Sequence, residues 1–352
     1  MNKISEKSKI LLILFTFIIF IFTIIKGLGD ALTPLVISFI LSYLTFPIIK
    51  RFEKLGIKRK ITIPSVFLII LVICTLLISY IVPILSEDIQ TFFSEFPTSL
   101  KKVLKLLNET IPFNIEINKN LILNFVEDNV KSISTTLIKS FSKTLSFSFN
   151  QVTSIVIGLL NILLIPMFYY YLVNDFEVIE NKINALIPKD LQPKLKYYFS
   201  KANKILSGYI RGQFLVASIV ALIYAVGLQL IGLKFGILIG LLSGVLCIIP
   251  YIGFALGFFT AIFISISNYA GVMQLFLIVG LFAIAQTLEG FFITPKLVGD
   301  KVGLGPLLTI FSLIIFGNLF GFIGMIIAIP LGALAKIIIS DILSVYFDTI
   351  NK

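Results

Sequence analysis

Glu289 is the one acid set inside the long apolar stretches of the chain's second half, and Gln286 precedes it by about one helical turn on the same face. An ionisable group at that depth is by default a functional-site candidate, because hydrocarbon offers it neither water nor a counter-charge. The chemistry open to it is the uptake and release of a proton or the holding of a cation. A plainer reading has Glu289 reach the membrane interface or pair with the nearby Lys296 or Lys301. Arg211 and Gln213, at the entry to an earlier apolar run, and Asn318, at a break in a later one, are the other polar groups placed to meet a solute. Arg211 equally fits a basic anchor on the cytoplasmic side.

Glycines and prolines complete the candidate path. Pro250, Gly253 and Gly257 interrupt one apolar segment, and Gly321 and Gly324, followed by Pro330, interrupt another. Paired interrupted segments point to a solute site, since broken helices free backbone groups and helix ends for a ligand. The same residues also let helices pack closely, as the Gly236, Gly240, Gly244 spacing would.

Other chemistry is poorly supplied. Without histidine, histidine proton relays and histidine-centred nucleophilic triads are excluded. The Gly-Lys dipeptide of a phosphate-binding loop is absent, so nothing marks ATP hydrolysis by this chain. Cys74 and Cys247, the two cysteines, each lie in an apolar run, which suits a small buried hydrophobe better than a disulfide framework or a zinc site. We therefore expect no enzyme activity, no cofactor and no bound metal.

The elements that must position these residues follow from the distribution of charge. Charged residues make up 13% of the chain against 58% hydrophobic ones, where a soluble domain carries about 25% charged. They cluster, leaving uncharged runs at 10–25, 31–49, 61–86, 144–174, 212–233, 235–288 and 302–335. A bilayer core of about 30 Å takes roughly 20 apolar residues as a helix, so most of these runs are long enough to span. The net charge of +11 resides in short segments between runs, the pattern of topology signals rather than of nucleic-acid binding. The expected fold is all-α and polytopic. It has about 8 membrane segments, including broken or re-entrant helices in the C-terminal half, with amphipathic helices outside the membrane.

Six basic residues among 50–60, and three among 1–9, place both segments in the cytoplasm, so the chain divides as follows. An N-terminal three-helix region covers 1–86, its first helix uncleaved. An extracytoplasmic amphipathic segment follows at 87–149, with two helices split at Ile111-Pro112-Phe113, then a membrane helix at 150–173 closed by Tyr169, Tyr170 and Tyr171. The tyrosines suit an interfacial belt; a substrate-binding cluster is the alternative. A cytoplasmic amphipathic helix occupies 174–211, as a packing or a gating element. The transport-type region with broken helices is 212–340, and the tail 341–352 is cytoplasmic. The chain is expected to bend at 249–253, and 304–340 is too short for two full spans, so a re-entrant or two-half-helix hairpin fits it better.

Four stretches together resemble the autoinducer-2 exporter family of membrane transporters: Ser207-Gly208-Tyr209-Ile210-Arg211-Gly212-Gln213, Ile249-Pro250-Tyr251-Ile252-Gly253, Gln286-Thr287-Leu288-Glu289 with Pro295-Lys296-Leu297-Val298-Gly299, and Gly321-Phe322-Ile323-Gly324-Met325 leading to Pro330. The chain departs from that family's pattern in having Gly290 after the glutamate and no tryptophan. The resemblance implies a multi-pass plasma-membrane exporter or ion antiporter, acting as a homo-oligomer. Taken with the broken segments, it makes a secondary transporter of a small solute or ions the leading expectation. A sodium/proton antiporter, a passive channel and a non-transporting membrane scaffold are the alternatives.

Overall fold

The computed structural model describes residues 33–110, 152–176, 178, 182, 192–269, 271–298 and 303–350. The expected first helix at 10–25, the turn at 26–30, the split at 111–113, the second amphipathic helix and most of 177–191 lie outside them. Every described element is helical, with no strand among the described residues. The helices are α1 (Thr33–Lys54), α2 (Arg59–Thr110), α3 (Val152–Asn174), α4 (Gln192–Leu230), α5 (Gly236–Leu246), α6 (Ile252–Ser267), α7 (Val272–Leu288) and α8 (Pro306–Ile350); between α7 and α8 come a π-helical turn, Glu289–Ile293, and a last turn, Thr294–Leu297.

Five of these helices are long and apolar enough to cross a bilayer: Thr33–Lys54, Arg59–Ile81, Lys196–Leu230, Val272–Leu297 and Pro306–Ser340. Together with the short apolar helices Leu163–Asn174, Gly236–Leu246 and Ile252–Ser267, they make the helical membrane protein that composition called for. Two joins differ from the expected divisions. No break separates the apolar part of α2 from the polar stretch up to Thr110, and α4 runs unbroken from Gln192 through the expected boundary at 211. Helical hydrogen bonding is indifferent to polarity, so a change in composition marks where a helix leaves lipid and not where it ends.

The chain divides into two compact units. The first comprises Met1–Phe67, Val156–Ser207 and Val302–Lys352. Here α1 presents Ser38, Ser42 and Thr45, all buried, at helical spacing. Small polar residues let helices approach closely and bond across the gap. Ser38 Oγ donates to the backbone oxygens of Pro34 (2.6 Å) and Ile165 (2.8 Å), and the Tyr169 hydroxyl donates to Thr45 Oγ1 at 2.9 Å. Tyr169, 1% exposed and packed against Phe67, is therefore a pin between α1 and α3, whereas Tyr171 is exposed. The Arg59 guanidinium donates to the Val173 carbonyl at 2.5 Å and so caps the end of α3. Tyr169→Phe removes one inter-helix hydrogen bond and is expected to cost about 0.5–1 kcal/mol, measured as a fall in the thermal midpoint of purified protein in detergent.

The apolar length of α8 is a folded one. Gly321 adopts φ 61°, ψ −143°, which interrupts the helix. The flanking arms then run back along each other: Gly317 faces Met325, Gly324 faces the Phe316 carbonyl, and Gly332 faces Ser312 and Leu304. The two-half-helix hairpin expected for 304–340 is thus present, with its turn at Gly321. The first arm, 306–320, is about 22 Å long, short of a bilayer's thickness.

The second unit comprises Leu68–Ile155 and Gly208–Lys301. Its centre is a hairpin of α5 and α6, hinged at Cys247–Tyr251, where Tyr251 has φ 69° and Pro250 prevents the helix from continuing. This is the bend expected at 249–253. At the outer edge of the hairpin, Lys234 bonds both carboxylate oxygens of Glu95 at 2.6 Å, and Phe92 and Phe96 of α2 meet Phe235 and Phe263.

Candidate functional site

The site is built where three helices of the second unit pass the tip of the hairpin. On α4, the backbone at Leu228, Ala225 and Ala221 lies directly against Gly236, Gly240 and Gly244 of α5, so the two helices run antiparallel at backbone contact. Counting along that register sets Cys247 near residue 218 of α4, about 18 Å from the Leu230 end of the helix. Helix α5, with 11 residues, is about 16 Å long and α6, with 16, about 24 Å. Neither is long enough to cross a core of about 30 Å.

The third helix is α7. Tyr224 stacks on Phe282 with ring centroids 4.4 Å apart, and Gly212 lies against the Leu297–Val298 backbone. These two contacts run α7 antiparallel to α4 and bring Glu289 to the level of Cys247. Tyr224, Cys247 and Glu289 therefore lie near one another. Gln213, 8% exposed, donates its side-chain amide to the Cys247 carbonyl at 2.6 Å, holding a backbone oxygen left over where α5 ends. Gly253 packs on the Ser243 carbonyl and Cys247, and Gly257 on Ser243 Oγ, so side chains at these positions would push α6 away from the tip.

Three buried polar atoms around this point have no hydrogen-bond partner among the described residues: Glu289 Oε2, Gln286 Oε1 and the hydroxyl of Tyr224, a residue with no exposed surface. A buried polar group without a partner costs roughly 1–3 kcal/mol, so three on the helices around the tip form a place that a ligand would satisfy. Glu289 also opens the π-helical turn. Such a turn widens the helix and shifts its hydrogen bonds by one residue, and it occurs often at functional sites.

The sequence candidates thus separate. Glu289, Gln286, Gln213, Arg211, Pro250, Gly253 and Gly257 belong to the second unit, while Asn318, Gly321 and Gly324 belong to the hairpin of the first. Asn318 is exposed, and Gly324 is buried against the Phe316 carbonyl. Arg211 is half-buried and has interaction partners of its own. Among the described residues Glu289 makes no ion pair with Lys296, and Lys301 lies outside them. Sequence reasoning missed Tyr224, although a signal existed: a tyrosine in the middle of an apolar run is out of place for an interfacial anchor. It also took Cys247 for packing alone; the thiol is buried, but its backbone carbonyl is a working part of the tip.

The model of the AI-2E family transporter matches residues 10–344, nearly the whole chain. The chain belongs to the AI-2E transporter family. Its relatives include "Putative transport protein YrrI" of Bacillus subtilis (strain 168), 27% identical over 314 residues, covering 86% of this chain and 84% of the relative. "Putative permease PerM" of Escherichia coli (strain K12) is 26% identical over 320 residues, covering 90% and 89%. "Putative transport protein YueF" of Bacillus subtilis (strain 168) is 25% identical over 333 residues, covering 94% and 87%. The family resemblance carried by the four motifs is therefore correct, and the chain is a multi-pass membrane protein with a transporter or permease role.

Proposed function

We propose that this family member is a secondary transporter that carries a small solute or an ion across the cell membrane, with Glu289 at the hairpin tip as its proton or cation site. The observation that carries the reading is the Glu289 carboxyl oxygen buried beside the hairpin tip without a hydrogen-bond partner among the described residues. A carboxyl there is tolerated only where something binds it during the working cycle. Gln286 stands about one helical turn before it and Tyr224 lies near it on α4, and the loose hydrogen bonding of the π-helical turn gives the residue room to move. On the same reading the basic segment 50–60 faces the cytoplasm with both termini, 87–149 lies outside, and the working form is a homo-oligomer.

The experiment is flux in proteoliposomes, scanned over small polar metabolites and over Na⁺ and H⁺ gradients. Wild-type flux is expected to follow a gradient and to saturate with solute. Glu289→Gln keeps the shape but cannot change charge, and is expected to abolish the dependence on the proton gradient. Transport by Glu289→Gln that responds to inward and outward gradients as the wild type does would remove Glu289 from the coupling step. Flux that never saturates would instead identify a passive channel.

A further inference from the structure

A second candidate site lies in the first unit. The start of α4 and the second arm of α8 enclose a groove of about 160 Å³ lined by Tyr198, Phe199, Ala202, Leu334, Ile337 and Ile338, with Lys201 at its edge. The groove wall is hydrocarbon, so water gains nothing by filling it.

Its level in the bilayer is fixed twice over. Residues 192–207 hold Lys194, Lys196, Lys201 and Lys204 and no acid, and the apolar run of α4 begins only at 212. On α8 the apolar run ends at Lys336, immediately before Ile337 and Ile338. On both helices the groove residues stand beside the lysines that bound the apolar runs, on the headgroup side of the hydrocarbon. Tyr197, exposed on the same stretch, is the amphipathic residue type that settles at this boundary.

The cationic edge is pre-formed. Lys201 Nζ donates to the Tyr197 hydroxyl at 2.8 Å and stands 5.0 Å over the centre of its ring. One of the three ammonium hydrogens is used there and two remain to meet an anion. Lys204 follows one turn later and is exposed. An apolar slot, a fixed ammonium at its mouth and no acid on that stretch of α4 are complementary to one kind of membrane component. We propose that this groove binds an anionic phospholipid, with an acyl chain along Phe199, Ala202 and Ile338 and the phosphate on Lys201. The lipid would tie the start of α4 to the end of α8 and hold the first unit at the cytoplasmic leaflet.

The test uses the purified full-length chain in detergent, offered phosphatidylglycerol or phosphatidylcholine, with bound lipid counted by native mass spectrometry. The wild type is expected to retain phosphatidylglycerol about fivefold or more over phosphatidylcholine, the preference that one or two lysines near an anionic surface confer. Lys201→Gln is expected to lose about fivefold in phosphatidylglycerol retention, and Lys201→Arg to keep it. Ala202→Phe fills the slot without altering charge and is expected to lose the lipid as well. Should that variant not elute as folded protein, Ile338→Trp blocks the same slot from the other helix. Equal retention of the two lipids by the wild type, or retention unchanged in both the charge and the slot variants, overturns the proposal. So does inorganic phosphate raising the thermal midpoint as far as phosphatidylglycerol does, since that would assign the edge to a free anion and leave the slot without a role.

Discussion

Gly244→Ala is expected to dismantle the packing of the α5–α6 hairpin on α4. The added methyl would fall on the Cα and Cβ of Ala221, in the middle of the α4–α5 contact, where neither partner is the flexible end of a side chain. Overpacking a core usually costs about 1–3 kcal/mol, relieved by rotamer changes; backbone against backbone allows no such relief, so we expect about 3 kcal/mol or more. The helices would separate by the width of a methyl group, and Cys247 would leave the reach of Gln213. The measurements are the thermal midpoint in detergent and flux in proteoliposomes, both expected to collapse. Gly280→Ala is the control. Gly280 also lies in an apolar helix, yet nothing lies within 4 Å of a methyl there, and alanine favours a helix by roughly 0.5–1 kcal/mol. It should be neutral or stabilising. A Gly244→Ala protein as stable and active as the control would mean that α4 and α5 are not held at backbone contact.

Gly321→Ala tests the other hairpin by a different physical route. No atom lies within 4 Å of the missing methyl, so crowding plays no part; the conformation itself, φ 61° with ψ −143°, is one that side-chain-bearing residues scarcely adopt. Holding alanine there costs about 1–3 kcal/mol. The arms are expected either to bear that strain, read as a lower thermal midpoint, or to open towards a continuous helix, read as faster hydrogen exchange across 316–325. Because Gly317 and Gly324 receive Met325 and the Phe316 carbonyl only in the folded form, opening would expose both glycines. An unchanged midpoint together with unchanged exchange would show that the turn does not depend on glycine.

Much of this could be read from residue order. Apolar runs too long for any soluble core determined the helical membrane class, and Pro250 with its neighbouring glycines and the glycines around Gly321 marked the two bends. These are local properties: burial in lipid needs length, and a break needs a residue that cannot continue a helix. Glu289 and Gln286 stood out for the same reason, since charge and amide groups are rare in hydrocarbon and their spacing is fixed by the helix.

What the sequence could not give was set by packing between distant segments. Tyr224 and Cys247 come near Glu289 only because Gly240, Gly244 and Gly212 let three helices close to backbone contact. The π-helical turn at Glu289 leaves no mark on composition; it is one extra residue in a turn, settled by what surrounds it. Nor does residue order say that Asn318, Gly321 and Gly324 belong to one unit and the Glu289 site to the other, because both hairpins are written in the same glycine and proline signals. Alone, the sequence determined a membrane transporter's composition, its two broken segments and one misplaced acid. Only the tertiary structure decided that this acid stands beside the bend at Pro250, because that is a matter of contacts between helices, and those depend on where glycines stand in register across the gap.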